Sequence, residues 1–101
     1  MSMKVISPNQ LQEAIRSGER VELIDVRTPV EFREVHVSVA RNIPLDQLDS
    51  RKIAAARKAD PAPVYVICKS GGRSSQACEK LIAAGCDNVV NVEGGTSGCR
   101  S

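Results

Sequence analysis

The 101-residue chain has no tryptophan and only one phenylalanine, one tyrosine and one histidine. Its core must therefore be mainly aliphatic, drawn from the 25 residues that are Val, Ile, Leu or Phe. A chain this short buries roughly 60–70% of its unfolded surface, enough for one core and not for a second. With so few aromatics there is no platform on which single-stranded nucleic acid could stack. Excess charge is lacking too: 14 basic and 12 acidic residues leave +2, which is no electrostatic footprint for nucleic acid. No apolar run approaches the length of a bilayer span, the longest being Val64-Tyr65-Val66-Ile67-Cys68. The opening Met1-Ser2-Met3-Lys4-Val5 carries no signal-peptide apolar region. Neither a nucleic-acid partner nor a membrane segment is expected. The cysteines at 68, 78, 86 and 99 form no C-x-x-C pair, and the single histidine, His36, lies far from them in sequence. These spacings favour a reduced, cytoplasmic chain over a disulfide frame, with no metal site and no cofactor.

What is present is an alternation of helix and strand signals. Ser7-Pro8-Asn9-Gln10 reads as a capping box with proline in the first turn, followed by Leu11, Ala14 and Ile15 at helical spacing and Gly18 as a stop. Residues 21–27 read as a strand, and Thr28-Pro29-Val30-Glu31 as a second capping box opening a short helix to about Val35. A short strand is expected around Arg41-Asn42-Ile43, and a helix over residues 45–59. Val64-Tyr65-Val66-Ile67 is apolar throughout, as a central parallel strand would be. Residues 74–84 predict a helix with Ala77, Cys78, Leu81 and Ile82 inward and Gly85 as its stop, and residues 88–92 a last strand. The pattern implies one α/β domain over residues 1–101 with a mainly parallel sheet.

The chemistry gathers at Cys68-Lys69-Ser70-Gly71-Gly72-Arg73-Ser74. A cysteine at the carboxyl end of a buried strand sits where ligands bind in open α/β sheets. The two glycines let successive N–H groups turn into one hollow, and the helix opening at Ser74 adds positive potential there. Lys69 and Arg73 bring two cations, although Arg73 could instead serve a structural ion pair. A thiol in these surroundings is expected to ionise readily and act as a nucleophile. Cys78 and Cys86 read as structural. Glu31 is accounted for by its capping box, and His36 as incidental.

This stretch resembles the rhodanese family of sulfurtransferases, as do Leu23-Ile24-Asp25-Val26-Arg27-Thr28-Pro29-Val30-Glu31-Phe32, Ala40-Arg41-Asn42-Ile43-Pro44-Leu45 and Val92-Glu93-Gly94-Gly95. The resemblance implies a rhodanese-like domain of about five mainly parallel strands with helices on both faces. Cys68 would carry a persulfide, and Lys69, Ser70, Gly71, Gly72, Arg73 and Ser74 would bind the substrate sulfur. Asp25 and Arg27 would be supporting residues, architectural rather than chemical, bridging loops toward Arg73. The implied partners are a small donor (thiosulfate or a persulfide), a thiol or cyanide acceptor, and a possible protein sulfur carrier. The chain departs from the family around His36, where Val35, Ser38 and Val39 replace the usual glycines and proline. It also departs after Gly95, where Cys99 stands near the usual tryptophan. The second departure implies either a domain without its closing helix or a module from a longer chain.

Two other readings stay open. Phosphatases and arsenate reductases of the same fold have five residues between cysteine and arginine, whereas this chain has the four from Lys69 to Gly72. The shorter loop suits a sulfur atom better than a tetrahedral phosphate. A non-catalytic sensing or interaction module is the third reading, disfavoured by the presence of Cys68, both glycines and Arg73. Cys99 is a further candidate, as a resolving sulfur for Cys68.

Overall fold

The computed structural model describes residues 4–18, 21–34, 36–56, 63–68, 72–86 and 88–92. Five strands, β1 (Lys4–Ile6), β2 (Glu22–Asp25), β3 (Ala40–Asn42), β4 (Val64–Ile67) and β5 (Val89–Val92), form one sheet in the order β1-β5-β4-β2-β3. Every pairing is parallel. The helices between them are α1 (Pro8–Arg16), α2 (Pro29–Glu34), α3 (Ser50–Ala56) and α4 (Gly72–Ala83), with a 3₁₀ turn at Leu45–Gln47.

The apolar run of residues 64–67 is the middle strand, and all four of its residues are buried. Its alternation divides the core. Val64, Val66 and Cys68 join Ala77, Cys78 and Leu81 of α4 on one face, with Ile53 and Ala54 of α3 packed against them. Tyr65 and Ile67 face the other way, onto Leu11 and Ile15 of α1 together with Leu23, Val90 and Val92. Helices thus cover both faces, as the run's double-sided apolarity requires.

Local signals worked where the partner is three or four residues away. Ser7 Oγ accepts from the Gln10 N–H at 3.2 Å, and Gln10 Oε1 accepts from the Ser7 N–H at 2.9 Å, completing the first capping box. Three expectations shift. The helix expected over 45–59 is broken: after the 3₁₀ turn Leu48 turns extended, and Asp49 starts α3 afresh by accepting the Lys52 N–H at 3.1 Å. An aspartate able to cap its own new helix outcompetes continuation of the old one. The last helix starts at Gly72 rather than Ser74. Strand β1, pairing Lys4 to Val90 and Ile6 to Val92, had no signal, because three residues are too few to show a period.

Candidate active site

The carboxyl ends of β4, β2 and β5 converge on the start of α4, and the site residues lie there. Cys68 follows β4 directly and is fully buried. Its Sγ donates to Ser74 Oγ at 3.4 Å, and Ser74, also fully buried, donates in turn to Asn91 Oδ1 at 2.5 Å. Asn91 lies on β5 opposite Val66, which puts its amide on the α4 side of the sheet. Sequence reasoning had missed Asn91. The available signal was a lone amide in an otherwise apolar strand, Val89-Val90-Asn91-Val92, since a buried amide needs a partner.

Arg73, in the first turn of α4, turns to α2. Its Nη1 and Nη2 donate to Glu31 Oε1 and Oε2 at 2.9 and 3.1 Å, a two-pronged pair. The same carboxylate accepts from Thr28 N and Thr28 Oγ1, both at 3.1 Å, so the capping residue also anchors the head of α4. The Arg73 guanidinium, together with the Thr28 N–H, holds the Glu31 carboxyl down at about 2, against an ordinary 4.5. Glu31 in turn pushes Arg73 up.

Asp25 and Arg27 close on each other. Arg27 N and Nε donate to Asp25 Oδ1 at 3.0 Å, and Nη2 donates to Oδ2 at 2.8 Å. Both side chains are buried. Asn42 Nδ2, from β3, donates to the carbonyls of Asp25 and Arg27 at 3.0 Å each. A carboxylate two residues before an arginine reaches it at once, whereas Arg73 is delivered by α4 to Glu31. The pair ties the end of β2 to β3 beside the end of β4, where the Val26 N–H donates to Ile67 O at 3.1 Å.

Of the other expected residues, Lys69, Ser70 and Gly71 lie outside the described residues, as do Gly94, Gly95 and Cys99. Gly72 is the first residue of α4. Cys78 is pushed up to about 12, by burial first and then by its neighbours Cys68 and Cys86, which fits its structural reading. His36 stacks on Phe32 with ring centres 3.8 Å apart, its Nδ1 2.7 Å from Phe32 O, at the end of α2. Among the described residues no helix is long and apolar enough to cross a membrane.

Comparison with known proteins agrees with this geometry. The chain is 44% identical over 85 residues to Uncharacterized protein YqhL of Bacillus subtilis, covering 83% of the chain and 65% of that protein. It is 35% identical over 94 residues to thiosulfate sulfurtransferase GlpE of Pseudomonas putida, covering 91% and 80% respectively. The crystal structure of SSP1007 from Staphylococcus saprophyticus superposes with a TM-score of 0.80 at 36% identity, covering 93% of this chain and 90% of that one. The chain spans 65%, 48% and 23% of the length of three curated relatives it matches. The family model for the rhodanese-like domain matches residues 7–101, and the chain belongs to the rhodanese-like family.

Proposed function

We propose that the chain is a rhodanese-type sulfurtransferase that carries a sulfane sulfur on Cys68. The observation that carries this reading is the fully buried Cys68 at the end of the central parallel strand, with its sulfur against the Ser74 hydroxyl in the first turn of α4. A relative named thiosulfate sulfurtransferase supports the choice of chemistry.

The reaction is a double displacement. The Cys68 thiolate attacks the outer sulfur of thiosulfate, a sulfur–sulfur bond forms, and sulfite leaves with the electron pair of the broken bond. A thiol or cyanide then attacks the outer sulfur of the persulfide, and Cys68 departs as thiolate. Sulfite is a stable anion, so its departure needs no proton and the cycle needs no histidine. In this reading the amides of Lys69, Ser70, Gly71 and Gly72 hold the transferred sulfur and its charge, and Lys69 attracts the anionic donor. Arg73, occupied by Glu31, fixes the exit of that loop rather than gripping the donor. Asp25 and Arg27 support the neighbouring strand end. A persulfide or a protein sulfur carrier is a second class of donor or acceptor.

Intact mass after exposure to thiosulfate tests the assignment. The expected result is a gain of one sulfur atom, removed by cyanide and absent in Cys68→Ala. Turnover of an aryl phosphate without sulfur uptake would establish the phosphatase reading, and neither activity would leave the non-catalytic module.

A further inference from the structure

We propose that Asn91 is a positioning residue that acts on Cys68 only through Ser74, by competing with the ionised sulfur for the Ser74 hydroxyl. The starting point is a count of protons. A serine hydroxyl has one to give and oxygen lone pairs to receive with. In the observed arrangement the Cys68 thiol donates to Ser74 Oγ, and the Ser74 hydroxyl donates to Asn91 Oδ1 at the short distance of 2.5 Å. That directional chain suits a protonated sulfur. Ionised sulfur has no proton to give and gains most from an incoming donor, yet the hydroxyl facing it is turned toward Asn91.

On ionisation the thiol proton leaves to solvent, and the Ser74 hydroxyl is contested between Cys68 Sγ and Asn91 Oδ1. Asn91 sits opposite Val66, among Val64, Val66 and Val89 on the α4 side, where an idle amide would be costly. Among the described residues, the other charged or titratable groups around Cys68 are Arg73 and Cys78 on α4 and the Asp25–Arg27 pair at the end of β2, whereas β5 presents the neutral Asn91.

The relay rests on Cys68 being used as a thiolate, but its test needs no sulfur donor. The readout is the Cys68 ionisation midpoint, from thiolate absorbance of the chain minus that of Cys68→Ala. Ser74→Ala, which removes the hydroxyl from the thiolate, raises the midpoint by about one pH unit. Asn91→Leu removes the competing acceptor, frees the hydroxyl for the sulfur and lowers the midpoint. The two changes therefore have opposite signs, which a packing role would not produce. Ser74→Thr restores the wild-type midpoint, and Asn91→Leu in a Ser74→Ala background adds no further shift. Should Asn91→Leu fail to fold, the smaller Asn91→Ala gives the same comparison. A midpoint unmoved by either Asn91 change, or moved equally with and without Ser74, overturns the relay. Absent sulfur uptake with these shifts intact would overturn the sulfurtransferase reading alone.

Discussion

Glu31 shows how one side chain serves two levels of structure. Its carboxylate accepts the Thr28 N–H that begins α2 and grips Arg73 at the head of α4. The capping half was legible in the sequence as Thr28-Pro29-Val30-Glu31, because its partners are three residues apart. The gripping half was not, because Arg73 is 42 residues away. This pair has a pH signature. With the folded carboxyl held at about 2 and the unfolded one at 4.5, acid between those values protonates the unfolded chain first and favours unfolding. The stabilisation is complete above the unfolded value and is lost as pH falls through the folded one. Both side chains are about a third exposed, at 37% and 29%, so solvent screening keeps the contribution under about 1 kcal/mol. The thermal midpoint of the wild type should exceed that of Glu31→Gln near neutrality, and the gap should close toward pH 2. A gap that does not change with pH would remove this account of the pair.

Helix α4 is the element on which the site depends, and its two ends differ in how far the sequence specifies them. Its carboxyl end is local: Gly85 takes φ 97°, its N–H donates to Ile82 O, and the Cys86 N–H donates to Leu81 O, both at 2.9 Å. This is the left-handed glycine stop that the sequence announced. A Cβ at Gly85 would meet nothing within 4 Å, so Gly85→Ala should cost only the backbone strain, about 1–2 kcal/mol, read by urea unfolding with an unchanged m-value. The amino end is set from outside. Arg73 reaches α2 and Ser74 reaches β5, and these contacts accompany a helix that begins at Gly72, where propensity alone placed a loop. Asp49 shows the converse case, a local cap strong enough to divide what the apolar spacing read as one helix.

At the scale of the molecule, the sheet separates two aliphatic clusters, one centred on α4 and one on α1. Leu81 and Leu11 are the fully buried leucines of those helices. Truncating either to alanine should cost about 2–5 kcal/mol. Because the sheet lies between them, the double variant should lose the sum to within about 0.5 kcal/mol, measured by urea unfolding. A larger discrepancy would mean that the two faces form one coupled core. The alternation of strand and helix, the capping boxes, the doubly buried central strand and the placing of Cys68 at its end were all determined by the sequence itself. Each depends on neighbours within a turn or two of chain, or on an apolar period that survives without a fold. The partners of Arg73 and Ser74, and the arrival of Asn91 beside the cysteine, were decided only by tertiary structure. They follow from the order β1-β5-β4-β2-β3, which inserts the last strand next to the middle one and sets a residue 17 positions downstream against Ser74. Such pairings arise from the packing of whole elements, and no local spacing encodes them.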